Sequence, residues 1–381
     1  VSSRSEPLGL YLHVPFCEAK CAYCHFAIDP RRPDGERQER YVRALLREIG
    51  QRDPAPADTL YFGGGTPSLL SVDRLARLVR AVRQRFRLDP GAEITLEANP
   101  RDLEQDGYRA LREAGVDRLS LGVQSFDDEV LREMGRLHTG DDARRAVAAA
   151  RRAGFGNVSI DLVLGWPGET RERWFSNLES LALLEPEHVS LYVLEVEGKT
   201  LLSHRARQGR LELPDEDLVA HLYWSTAEAL SVLGLERYEI SNFARAGRES
   251  RHNAKYWDDA PFLGFGMSAH SYRDGRRCWN LASYGSYCKA IESGEPGAAV
   301  AGERTLSARE RVGEALFTGL RRRGGLDLAA FRRRYDVDPL QEYALPLRDP
   351  IGAGLLEVAG GRLRLTERGV LLSNEVFQAF V

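Results

Sequence analysis

Lysine is nearly absent from this chain of 381 residues: it occurs at 20, 199, 255 and 289, and arginine carries the rest of the positive charge. The arginines alternate with acids and the net charge is −3, which argues against a broad cationic face for nucleic acid or anionic lipid. Arg321 to Arg323 form one local patch. No run of about 18 apolar residues occurs, so no transmembrane helix is expected. The N-terminus lacks the charged region and apolar core of a signal peptide, and the expected location is the cytoplasm. Internal repeats and low-complexity tracts are also missing. Cysteine is scarce, at five residues, and three of them are Cys17, Cys21 and Cys24. In a reducing compartment an odd number with that clustering points to metal rather than disulfides.

The length calls for two domains. Strand patterns run over Leu8–Val14, Thr59–Phe62, Glu93–Glu97, Arg118–Val123, Asn157–Leu164 and His188–Leu194. Helical patterns lie between them, over Glu36–Arg52, Val72–Arg85, Leu103–Ala114, Asp141–Ala153 and Arg171–Leu184. Strands alternating with helices imply α/β architecture with a parallel sheet, because each crossover must pass over one face. Periodicity does not decide between an open sheet and a partial barrel. A long helix, Pro214–Leu233, closes this region, and a stretch rich in glycine, asparagine and aromatics follows over Tyr238–Asn280. From Ser307 the pattern is helix, helix, hairpin, helix, with the hairpin Leu355–Leu365 turning at Gly360-Gly361. This predicts a smaller α+β, winged-helix-like domain.

The three clustered thiols follow the first strand in Tyr11-Leu-His-Val-Pro-Phe-Cys17-Glu-Ala-Lys-Cys21-Ala-Tyr23-Cys24. Thiolates are the usual ligands of a cubane cluster, and three of them leave one of its four irons open for a small chelating molecule. A structural zinc ion is the competing reading. It wants four ligands, and His13 or His25 could complete the set, although neither has zinc-finger spacing. Cys278 and Cys288 read as ordinary thiols.

Further along, Gly63-Gly64-Gly65-Thr66-Pro67 follows the second strand, where glycines allow either a tight βα turn or close approach of a ligand to the backbone. Glu97 and Gln124 end the third and fourth strands, and Asp161 lies within the fifth. Polar residues among apolar strand residues need partners. At the C-terminal mouth of a parallel barrel those partners are often ligands, and internal hydrogen bonding is the alternative.

The cysteine spacing together with the Tyr-x-His-x-Pro-Phe-Cys opening resembles the radical S-adenosylmethionine (SAM) superfamily. Within it, the branch that resembles this chain holds oxygen-independent coproporphyrinogen III oxidases and the HemW heme chaperones. That resemblance implies a partial (β/α)6 TIM-like barrel over residues 1–236, a connecting region over 237–302 and a C-terminal domain over 303–381. It implies a [4Fe–4S] cluster on Cys17, Cys21 and Cys24, which can reduce SAM and cleave its S–C5′ bond. By the same resemblance Tyr11, Tyr23, Gly64, Gly65, Thr66, Glu97, Gln124, Arg136 and Asp161 would contact SAM.

The oxidases carry a fourth cysteine two residues after the third; this chain has Phe26 there. Arg251-His252-Asn253-Ala254-Lys255-Tyr256-Trp257 is similar to the HNxxYW signature of the heme chaperones, and Gly264–Ser271 to the glycine-rich stretch that follows it. On this basis His252 is the candidate heme ligand, against a histidine bonded within an aromatic core as the plain alternative. The chaperones usually have aspartate where this chain has His25. The implied partners are heme, heme-accepting proteins and an electron donor, with no nucleic acid. A peripheral contact with a membrane-bound acceptor and a homodimer both stay open at this point. The alternative activity is SAM-dependent oxidative decarboxylation of coproporphyrinogen III, and a third is radical chemistry on a substrate other than a porphyrin.

Overall fold

The computed structural model describes residues 6–29, 31, 34–196, 198 and 200–380. Strands β1 (Leu8–Val14), β2 (Pro56–Gly64), β3 (Arg87–Ala98), β4 (Arg118–Gln124), β5 (Val158–Leu164) and β6 (His188–Val193) pair in parallel, in sequence order. The connecting helices are α1 (Gly35–Gln51), α2 (Val72–Arg85), α3 (Gln105–Glu113), α4 (Asp128–Met134), α5 (Gly140–Arg152) and α6 (Arg171–Ala182). Alternation sorts each strand's side chains. Leu8, Leu10, Leu12 and Val14 of β1 are buried in the main core, while Gly9, Tyr11 and His13 face the other way, into the barrel. The interior is correspondingly polar: Thr59, Tyr61, Glu93, Thr95, Arg118, Ser120, Ser159, Asp161, His188 and Ser190 share that face.

Helices α7 (Leu201–Arg207) and α8 (Glu216–Val232) follow, then β7 (Glu236–Arg237), β8 (Asn242–Ala244), α9 (Arg251–Trp257), β9 (Phe262–Phe265), β10 (His270–Arg273), β11 (Arg276–Asn280), α10 (Tyr284–Glu292) and β12 (Val300–Thr305). The sheet order is β12-β11-β10-β9-β1-β2-β3-β4-β5-β6-β8-β7. Strand β6 therefore pairs with β8 instead of returning to β1, and the barrel is partial. Beside β1 the wall continues through β9, which is parallel to β1, into antiparallel β10–β12.

The C-terminal α+β domain comprises α11 (Ala308–Leu320), β13 (Leu326–Asp327), α12 (Leu328–Tyr335), α13 (Pro339–Glu342), α14 (Ala344–Gly352), β14 (Leu356–Ala359), β15 (Arg362–Leu365), α15 (Glu367–Leu371) and α16 (Ser373–Gln378). It has its own core around Leu316, Phe331, Leu347, Leu363 and Val376. Gly360 and Gly361 both have positive φ, 56° and 74°, as a two-residue hairpin turn requires. The arginine patch is spent on ion pairs across to the larger domain: Arg321 with Glu239, Arg322 with Asp258 and Arg323 with Glu236.

The expected alternation holds, with two additions. Helices α4 and α7, each of seven residues, carry too few turns to show a period. The stretch rich in glycine, asparagine and aromatics contains α9 and four strands, β8–β11, each of the strands five residues or shorter.

Candidate functional site

The cysteine loop leaves β1 at the C-terminal mouth and is fixed there by backbone bonds. The amides of Gly65 and Thr66 donate to the carbonyls of Val14 and Phe16, each at 2.7 Å. A Cβ on Gly65 would lie 2.6 Å from the Phe16 carbonyl oxygen, and one on Gly64, at φ +112°, would lie 2.5 Å from the His13 ring. Both glycines are therefore needed for close approach, and the tight-turn reading alone understates them. On its other side the loop is held by Ala22, whose amide donates to Met134 and whose carbonyl accepts from Leu202. Cys17, Cys21 and Cys24 are all half-buried. Burial pushes the Cys17 thiol up to about 11 against a stabilising contact from Thr66 Oγ1 at 3.6 Å, and raises Cys24 as well.

Arg136 lies beneath this loop. Its guanidinium donates to Cys21 Sγ (3.5 Å), Asn99 Oδ1 and the Gly122 carbonyl (2.6 Å), and its Nε has no partner. Among the described residues no carboxylate forms an ion pair with it. A half-buried guanidinium on one sulfur of the cysteine loop, lacking an anionic partner, suits a site that receives negative charge from thiolates or from a ligand carboxylate. Asn99 also donates to Thr66 Oγ1, at 3.3 Å.

Glu97 accepts from Tyr61 Oη (2.8 Å) and the Gly64 amide (3.2 Å), and burial pushes its carboxyl up to about 7 despite them. Asp161 accepts from Ser120 Oγ at 3.1 Å and from Ser159 Oγ at 3.3 Å; burial raises it too. Gln124, the last residue of β4, has φ +68°. A non-glycine residue held in the left-handed region is strained, and such strain collects at functional sites. Tyr11 Oη donates to His13 Nδ1 at 3.2 Å, since His13 Nε2 gives its proton to the Ala27 carbonyl at 2.7 Å. Tyr23 packs edge-on to Trp166, with centroids 6.1 Å apart.

Glycine turn, cysteine loop, Arg136 and the inward carboxylates thus share one mouth. Tyr61, Asn99 and Arg118 belong to the same interior and were missed. Tyr61 lies two residues before Gly63 on one strand face, a spacing that could have found it. Arg118 is 1% exposed, with Nε unpaired and no ion pair among the described residues. It lies two residues before Ser120 on the inward face, below the two carboxylates.

His252 lies at the floor of this same interior, its ring stacked on that of Tyr11 with centroids 6.4 Å apart. Helix α9 plugs the N-terminal end of the barrel, its first amides (Arg251 and His252) donating to Glu93 at 3.1 Å. His252 is 1% exposed and stacks on Tyr61, with centroids 5.1 Å apart. Both of its ring nitrogens are engaged, Nδ1 with Thr59 Oγ1 (2.8 Å) and Nε2 with Tyr256 Oη (2.9 Å). Burial and the nearby Lys255 and Arg118 lower its pKa to about 3, so the ring is neutral and serves as a floor element. In this arrangement neither nitrogen of His252 is left without a hydrogen-bond partner, as the plain alternative expects. His13, one candidate for a fourth zinc ligand, likewise has both nitrogens engaged. Among the described residues no three His, Cys, Asp or Glu side chains converge as they would on a single ion. A cubane needs no such convergence, since each thiolate binds a different iron.

The sequence profile of the radical SAM superfamily matches residues 11–180, and that of the HemN C-terminal domain matches 306–372. The chain is 35% identical to the heme chaperone HemW of Lactococcus lactis over 99% of this chain and 98% of that protein. It is 37% identical to the heme chaperone HemW of Mycobacterium tuberculosis, over 99% and 95%. Among solved structures, coproporphyrinogen III oxidase (HemN) from Escherichia coli, a radical SAM enzyme, superimposes with a TM-score of 0.85 at 26% identity, covering 99% of this chain and 91% of that one. Fold, cysteine loop and full-length likeness agree: the chain belongs to the HemW family of radical SAM proteins.

Proposed function

We propose that this protein is a heme chaperone that holds a [4Fe–4S] cluster on Cys17, Cys21 and Cys24, binds SAM against it, and passes heme to acceptor proteins. The reading is carried by one observation: a full-length likeness to curated heme chaperones in a chain whose cysteine loop opens onto a polar barrel mouth. The cluster, when bound, supplies an electron and an open iron. Arg136 would meet the SAM carboxylate or the cluster charge. Glu97 and Asp161 would accept from its hydroxyl or ammonium groups, and Gly64 and Gly65 would let the backbone close on it. Tyr11 and Tyr23 would wall the pocket and keep water out, and Gln124 and Thr66 would supply further polar contacts.

Phe26, where an oxidase has its fourth cysteine, is 60% exposed and supplies no ligand. No helix among the described residues is long and apolar enough to cross a membrane. The reading includes a cytoplasmic location and a separate electron donor for the cluster. The test is anaerobic reconstitution with iron and sulfide, EPR, and titration with hemin. A cubane signal that Cys21→Ala abolishes, together with a hemin Soret shift, is expected. A cubane without hemin binding would remove the chaperone role. Likeness to HemN favours a second reading, decarboxylation of coproporphyrinogen III; protoporphyrinogen IX formed with SAM and reductant would establish it.

A further inference from the structure

Heme iron needs an axial donor, and four of the eight histidines are buried and committed to hydrogen bonds. His13 and His252 are described above. His138 Nε2 donates to the Val123 carbonyl at 2.9 Å, and His188 is bonded to Ser159 Oγ (2.8 Å) and Tyr238 Oη (2.9 Å). The exposed histidines are His25, His204, His221 and His270. His204 and His221 lie on α7 and α8, outside the barrel, and His204 is paired with Gln208 at 2.9 Å. His25 projects from the cysteine loop.

His270 has a different setting. The sheet register sets Tyr11 opposite Gly264, His270 opposite Trp279 and Trp279 opposite Gly302. Tyr272 opposite Phe262 in the antiparallel β9–β10 pair places His270 across from Gly264. Tyr11, Gly264, His270, Trp279 and Gly302 are therefore one row on the barrel's concave face, and His270 stands two strands, about 10 Å, from Tyr11.

Glycine occupies the row where a side chain would block it. A Cβ on Gly302 would run into the Trp279 ring and one on Gly264 into the His270 backbone. The His270 and Trp279 rings stack at 6.1 Å and 27°. Below them Tyr272 lies under the Arg277 guanidinium at 4.9 Å. Neither nitrogen of His270 has a hydrogen-bond partner among the described residues. An exposed imidazole with free nitrogens, backed by an indole on a shelf continuous with the SAM mouth, is what a flat apolar macrocycle with a central metal requires.

We propose that His270 is the axial ligand of the heme iron, with the porphyrin seated on the β9–β12 shelf beside the SAM site. This rests on the heme-binding reading and locates its cargo. The experiment titrates hemin into the cluster-reconstituted full chain and into His270→Ala and His25→Ala, followed by absorption and EPR. The wild type and His25→Ala are expected to give the same histidine-ligated Soret band. His270→Ala should bind about tenfold or more weakly, and added imidazole should restore both the Soret band and the heme that co-elutes with the protein on gel filtration, a rescue that a purely structural role would not permit. A wild-type spectrum from His270→Ala, or loss confined to His25→Ala, overturns the assignment while heme binding stands. A wild type that takes up no hemin overturns both.

Discussion

Gly64 and Glu97 meet through one hydrogen bond, and each stores a cost that ligand binding can use. A Cβ at position 64 must adopt φ +112° and enter the space of the His13 ring. Gly64→Ala is expected to destabilise the fold by about 1–3 kcal/mol in urea titrations and to weaken SAM binding in the same preparation. Glu97 has its carboxyl at about 7, against an ordinary 4.5, because burial outweighs its two donors. Between those two pH values the folded chain keeps a proton that the unfolded chain has released. Stability attributable to this group therefore falls as pH rises through that window and levels off above it. Glu97→Gln, which never ionises, should make the ligand-free protein more stable than wild type at pH 8, by about 1–3 kcal/mol. The advantage should vanish at pH 4, as melting at the two pH values would show.

Helix α9 shows, at the scale of an element, how the side chains of a motif also serve the fold. Its sequence offers a histidine with two aromatics, a candidate heme ligand or a histidine bonded within an aromatic core. In seven residues the same side chains floor a barrel: His252 against Tyr61, Tyr256 edge-on to Phe262 at 4.8 Å, and Lys255 paired with Asp58 at 2.8 Å. Nothing local distinguishes those uses, because the partners Thr59 and Glu93 lie over 150 residues away in the chain. The six strands and the cysteine loop were legible because alternation and spacing are local properties. The shelf of β9–β12 was not, since short antiparallel strands next to glycine lack a readable period. Glu93 holds the start of α9 through two amides, and Glu93→Ala should cost about 1–3 kcal/mol. Faster hydrogen exchange confined to α9 and the N-terminal ends of β2 and β3 would accompany it.

At the scale of the molecule, Asp259 joins the domains. It sits at φ +50° just past α9 and receives the hydroxyls of Tyr272 and Tyr335 (2.7 Å to the latter), with Arg311 at 3.4 Å and Arg334 at 3.5 Å. Asparagine tolerates that backbone and lacks the charge. Asp259→Asn should leave each core intact and separate their melting, so that calorimetry resolves a lower C-terminal transition where wild type gives one. An unsplit trace would show that the other arginine pairs suffice.

The staple between the Gly65–Thr66 amides and the Val14–Phe16 carbonyls bears on how iron is acquired. Many small metalloproteins fold only around their metal, but here the root of the proposed cluster's cradle is fastened by main chain. Chelators should therefore strip the metal without unravelling the barrel, and repeated cycles of loading and depletion should leave its folding cooperativity unchanged.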